Sequence, residues 1–250
     1  MKTVLYTIYY YPKFEVLLYM FKSIIFDIGG TLVGYDKPLN WSNLYRPAME
    51  YVAQKCKLNF TENDYHNVTN ILTKYNTRIN PRIHEVSSAQ IFKEITYALN
   101  LPTQSIDDIK HHFFSFFRRN SFIYPEVEDT LRALSKKGIK MGTLSDVAYG
   151  MDNKYALEDI DILRKYIAYP LTSNDVGFRK PCTIGLELLC QKMNTKISET
   201  VVIGDEKKDI LCANDAGAYS ILINRDGKTK KYNQAKEISS IYELLLLFMV

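Results

Sequence analysis

A chain of 250 residues with 46% hydrophobic side chains holds either one large domain or a core with a smaller insert, and carries enough apolar material to bury a sizeable core. Its formal charge of +4 is dispersed, with short clusters only at Lys207-Lys208 and at Lys228, Lys230 and Lys231, which excludes the basic stripe of a nucleic-acid binder. Cys56, Cys182, Cys190 and Cys212 are widely separated and have no histidines at zinc-site spacing, so they read as reduced thiols of a cytoplasmic protein.

The first nineteen residues are rich in tyrosine and interrupted by Pro12 and Lys13, so they lack the apolar stretch and cleavage site of a signal peptide. Met20 is the expected start, which makes residues 1–20 an N-terminal extension. Neither this segment nor the Leu244 to Val250 run is long enough to span a bilayer, so no membrane partner is expected. Next comes Ile24-Ile25-Phe26, an uninterrupted apolar run suited to a central parallel strand covered on both faces. Asp27 closes it and is followed by Ile28-Gly29-Gly30-Thr31-Leu32. A carboxylate at a strand end, in a turn whose glycines let backbone approach a ligand, is where an α/β sheet presents chemistry.

From about 40 to 120 the pattern is helical, with no convincing strand. Helices are expected over Trp41 to Cys56, Thr61 to Tyr75, Ser87 to Leu99 and Ile106 to Arg118, with Thr61 and Asp64 opening the second as a capping box and Pro81 and Pro102 as punctuation. Phe113, Phe114, Phe116 and Phe117 are too wide a set for one stripe and read as core between helices. His111 and His112 are adjacent, hence splayed, and make no metal pair.

After Pro125 strands and helices alternate. A helix from Pro125 to Lys137 begins with acids, ends in lysines and stops at Gly138. Strands are expected at Ile139 to Leu144, Ile167 to Leu171, Thr200 to Ile203 and Tyr219 to Ile223. Between them lie a helical region near Asn153 to Tyr166 and helices from Pro181 to Met193 and Lys207 to Ala216. The alternation predicts an α/β fold: a doubly wound, Rossmann-like parallel sheet core with an inserted all-helical domain.

In such a sheet the ligand lies beyond the carboxyl ends of the strands, where Asp27, Ser145, Lys180, Asp205 and Asp209 all fall. Each alone is weak, since strand-end acids and hydroxyls often only cap helices and a lysine before proline is usually a surface residue. Together they supply acids, a hydroxyl and an ammonium, a set suited to a divalent cation and a phosphoryl group.

In these four loops the chain resembles the haloacid dehalogenase superfamily, mostly magnesium-dependent phosphatases. The Asp-x-Asp-Gly-Thr motif matches at Asp27, Gly30 and Thr31 and departs at Gly29. The strand-end hydroxyl matches at Ser145, the lysine before proline at Lys180, and the Gly-Asp with a second acid four residues on at Asp205 and Asp209. The resemblance, spanning about residues 21 to 225, implies core segments 21–38 and 121–250 and a helical cap over 39–120. It implies Asp27 as a nucleophile that forms an aspartyl-phosphate, with Thr31, Ser145 and Lys180 binding phosphate. Mg²⁺ would be held by Asp27, the Gly29 backbone carbonyl, Asp205 and Asp209, and the partner would be a small phosphorylated metabolite.

Gly29 removes the usual proton donor to the leaving group, a loss of about 10² to 10⁴-fold. His84, Glu85 and water are the candidate replacements, and Asp146 is expected to begin the next helix instead. A metal-free dehalogenase has tyrosine at position 29 and a phosphonate hydrolase has alanine plus a cap lysine. Glycine matches neither, and none of Lys55, Lys74 and Lys93 stands out. The alternative from another class is a weak or inactive protein that keeps the fold to bind a phospho-ligand or a protein partner.

Overall fold

The computed structural model describes residues 21–36 and 40–248. The expected extension over residues 1–20 lies outside the described residues. The strands are β1 (Ser23–Phe26), β2 (Val33–Tyr35), β3 (Ser121–Ile123), β4 (Lys140–Ser145), β5 (Tyr169–Thr172), β6 (Thr200–Gly204), β7 (Tyr219–Ile223) and β8 (Lys236–Ile238). The longer helices are α1 (Trp41–Cys56), α2 (Glu62–Tyr75), α3 (Ser88–Ala98), α4 (Ile106–Arg118), α5 (Val127–Lys136), α6 (Ile184–Met193) and α7 (Lys207–Ala216).

Six strands form one sheet in the order β5-β4-β1-β6-β7-β8, every neighbour parallel. β1 is central and fully buried, and its side chains alternate between two cores as the strand period requires. Ile24 and Phe26 join Leu131 and Leu134 of α5 on one face, while Ile25 joins Leu186 and Leu189 of α6 and Ala213 of α7 on the other. The chain runs from β1 outward through β4 and β5, then returns to the other side of β1 at β6. The carboxyl ends of β1 and β6 therefore meet where the winding changes direction, the natural site for a ligand.

Helices α1 to α4 share a separate core, in which Phe113, Phe114 and Phe117 are buried against Phe92, Met49 and Tyr149, as the aromatic run implied. The Thr61–Asp64 capping box opens α2, with Thr61 N–H donating to Asp64 Oδ2 at 2.8 Å. Three short strands were not foreseen. β2 and β3 form a separate antiparallel pair flanking the helical insert, and β8 extends the main sheet. The expected helical region near 153–166 is one helical turn followed by a 3₁₀ segment over Glu158–Leu163. Among the described residues no helix is long and apolar enough to cross a membrane.

Candidate active site

Asp27 follows β1, Ser145 ends β4, and Asp205 and Asp209 follow β6, Asp209 inside the first turn of α7. Carboxylate oxygens of Asp27, Asp205 and Asp209 all lie within 4.8 Å of one another. Such closeness of three acids demands a cation. Lys180 supplies one: its Nζ lies 2.7 Å from Asp27 Oδ1 and 2.6 Å from Asp209 Oδ1, and donates to the Leu144 carbonyl at 2.8 Å.

Burial raises the pKa of Asp27 against the pull of Lys180, with Asp209 adding repulsion. Burial also raises Asp205, reinforced by Asp27 and Asp209. Lys180 is driven the other way: burial disfavours its charge, but Asp209, Asp27 and Asp146 outweigh that and hold its pKa well above the usual lysine range. Asp209 Oδ2 accepts from the Glu206 N–H at 2.9 Å, while its buried Oδ1 touches Lys180 without hydrogen-bond alignment.

The glycine turn has a steric reason. At Gly30 the backbone φ is +72°, and a Cβ there would sit 2.4 Å from Asp205 Oδ2, so only glycine lets this turn close on the acid. At Gly29 a Cβ would meet nothing nearer than the Tyr35 hydroxyl at 3.6 Å.

Asp27 and Ser145 line a cavity of about 330 Å³, walled on the far side by Trp41, Tyr75, Tyr149 and Arg78 from the helical insert and the β4–β5 connection. Thr31 is fully buried, its hydroxyl has no hydrogen-bond partner among the described residues, and like Asp209 and Lys180 it is absent from the cavity wall.

Asp146 does not cap a helix. It accepts the Lys180 N–H at 3.0 Å and pairs with Lys208 at 3.2 Å, so it fixes the lysine loop; a non-helical Tyr149 in the 3₁₀ turn that follows explains the difference. Buried and beside Lys180, Lys208 and Arg179, its carboxyl is held below the usual range although burial opposes this. His84 and Glu85 do not reach the cavity. His84 bridges to Phe178, and Glu85 is buried against Arg179, Arg82 and the Ser173 hydroxyl. Sequence reading also missed Tyr35, whose position over Gly29 depends on a turn that no motif announces.

Residues 21–217 match the family of haloacid dehalogenase-like hydrolases. The chain belongs to this family. It is 31% identical over 122 residues to a phosphoglycolate phosphatase of Vibrio parahaemolyticus, covering 48% of this chain and 50% of that one. To the phosphoglycolate phosphatase of Escherichia coli strain K12 it is 31% identical over 118 residues, covering 47% and 44%. The chain thus spans about half the length of the curated relatives it matches. A 2-haloacid dehalogenase from Pseudomonas syringae superposes with a TM-score of 0.65 at 21% identity over 92% of this chain and 99% of that one. A HAD phosphatase from Thermococcus onnurineus gives 0.59 at 22% identity, over 90% and 97%. These two likenesses establish the haloacid dehalogenase-like hydrolase fold, which both a dehalogenase and a phosphatase share.

Proposed function

We propose that this hydrolase is a magnesium-dependent phosphatase acting on a small phosphorylated metabolite through Asp27, with helices α1 to α4 as its substrate-selecting cap. The observation that carries this reading is the meeting of Asp27, Asp205, Asp209 and Lys180 beside one cavity. A metal-free dehalogenase has no need of the last two acids.

The donor set fits Mg²⁺. Three hard carboxylates converge, a buried oxygen of Asp209 lacks a hydrogen bond, and burial, with repulsion from neighbouring carboxylates added to it, raises the pKa of Asp27 and Asp205, a penalty that a cation relieves. Asp27, the Gly29 carbonyl, Asp205 and Asp209 would hold the ion, which when bound offsets repulsion between carboxylate and phosphate. An Asp27 oxygen attacks phosphorus, the bond to the leaving oxygen breaks, and that oxygen takes up a proton. Water then attacks the phosphorus of the aspartyl-phosphate, releasing inorganic phosphate and restoring the carboxylate. Ser145 and Lys180 hold the phosphoryl oxygens, and Lys180 also offsets the charge of the acids. Phosphoglycolate phosphatases among the relatives support a small phosphorylated acid as the substrate class.

Hydrolysis of p-nitrophenyl phosphate with Mg²⁺ tests the reading, comparing wild type with Asp27→Asn. Turnover abolished by the substitution is expected. Turnover that persists removes Asp27 as nucleophile; no turnover and no beryllofluoride adduct would instead favour a protein that only binds phospho-ligands, the role that Gly29 alone suggests.

A further inference from the structure

The space left by the missing side chain at Gly29 is faced by one neighbouring residue. Tyr35 places its hydroxyl 3.6 Å and its Cε2 3.9 Å from where a Cβ would stand. A tight turn brings it there: the N–H groups of Leu32 and Val33 both donate to the Ile28 carbonyl at 2.9 Å, and Gly30 N–H donates to the Val33 carbonyl at 2.8 Å. The chain then enters β2, where Tyr35 pairs with Ser121 of β3. The ring therefore rides on a paired strand and is half-buried against the sheet's core.

Tyr35 lines the same cavity as Asp27 and Ser145. Its hydroxyl makes no hydrogen bond to any described residue, so a donor faces this cavity unspent. Burial, then Asp159, Asp27 and Asp205, push its pKa upward. Trp41 stacks on Phe117 at 3.7 Å in the adjoining wall, which gives the departing group an apolar surface to lie on.

We propose that Tyr35 is the hydrogen-bond donor to the departing oxygen, its hydroxyl facing the space that a side chain at residue 29 would enter. This rests on the phosphatase reading. As the bond from phosphorus to that oxygen breaks, negative charge gathers there, and a donor fixed in the cavity wall stabilises it. The ring keeps its own hydrogen; the departing oxygen draws its proton from water. Stabilisation without proton transfer matters most for leaving groups that carry charge poorly.

Tyr35→Phe removes only the unbonded oxygen and is compared with wild type on p-nitrophenyl, phenyl and alkyl phosphates. Loss of one such donor costs about 10²-fold or more, so turnover of the alkyl ester is expected to fall by about that factor and that of the nitrophenyl ester by only a few-fold. Affinity for beryllofluoride, which has no leaving group, should stay unchanged. In a Gly29→Asp background, where a Cβ has room, the same change is expected to cost less than about threefold on the alkyl ester, because the carboxylate takes over as acid. A full loss in that background, or equal losses on all three esters, or none, overturns the role of Tyr35 and leaves the phosphatase reading standing. A wild-type enzyme that hydrolyses none of the esters overturns both.

Discussion

Lys180 Nζ and Asp27 Oδ1 lie 2.7 Å apart with side chains only 3% and 11% exposed, and the same ammonium touches Asp209 at 2.6 Å. One buried cation thus serves two acids from different strands. Lys180→Met would leave those acids facing each other unpaired. Removing one partner of a buried pair costs about 3 to 5 kcal/mol, so a fall in stability of that size is expected, together with near-complete loss of turnover. Lys180→Arg should not rescue, because a planar fork does not replace a point charge held between three acceptors. Urea unfolding and nitrophenyl phosphate assays check both; a Met variant as stable as wild type would show that the ammonium is not compensating the acids.

Chelation should abolish turnover and Mg²⁺ restore it. The ion binds only the folded site, so it also raises folding stability by about 2.7 kcal/mol at a hundredfold excess over its dissociation constant. Asp205→Asn removes one carboxylate from the cluster and should shift the Mg²⁺ titration to higher concentration in both assays. Activity indifferent to chelator would return the chain to the metal-free, dehalogenase-like chemistry that the sequence already disfavours.

Without metal, burial aided by Asp27 and Asp209 pushes Asp205 up to about 8 from an ordinary 3.8. An acid raised in this way binds its proton more tightly when folded. Its contribution to stability is therefore complete below the unfolded value and is lost as pH rises through the folded one. Chelated protein should accordingly be more stable at pH 5 than at pH 8 by a component that Asp205→Asn abolishes and Mg²⁺ flattens. Urea unfolding at the two pH values measures it. If wild type and Asp205→Asn show the same pH dependence, Asp205 is not the cause.

The sheet was legible because Ile24-Ile25-Phe26 can only suit a strand buried on both faces, and the acids were legible because strand ends converge. What escaped has a common physical cause. β2, β3 and β8 are three residues each, too short to show a period, and are held by pairing partners distant in sequence. Asp146 looked like a helix cap because a serine and an acid after a strand usually precede a helix; whether the backbone obliges depends on Lys180 and Lys208, contributed by later loops. Tyr35 over Gly29 is likewise a consequence of the turn at Ile28 and Val33, and spacing of six residues predicts no contact by itself.

Glu85 offers the last test, since it joins the helical insert to the lysine loop. Its carboxylate is 3% exposed and lies against Arg179, itself 5% exposed, with Arg82 at 3.2 Å and the Ser173 hydroxyl at 2.5 Å. Two backbone bonds run alongside, Glu85 N–H to the Gly177 carbonyl at 2.9 Å and Arg179 N–H to the Ile83 carbonyl at 2.8 Å. Glu85→Ala removes the nearer acid of the buried Arg179 and leaves it only Asp146, at 3.9 Å, which costs about 3 kcal/mol. Because the damage falls on a seam rather than on the sheet, opening should be local. Hydrogen exchange is expected to quicken at residues 83–86 and 177–180 while β6 and β7 keep their protection, and turnover should fall as Lys180 loses its fixed approach to Asp27. Uniform acceleration across the sheet, or none at the seam, would show that Glu85 does not join the two parts.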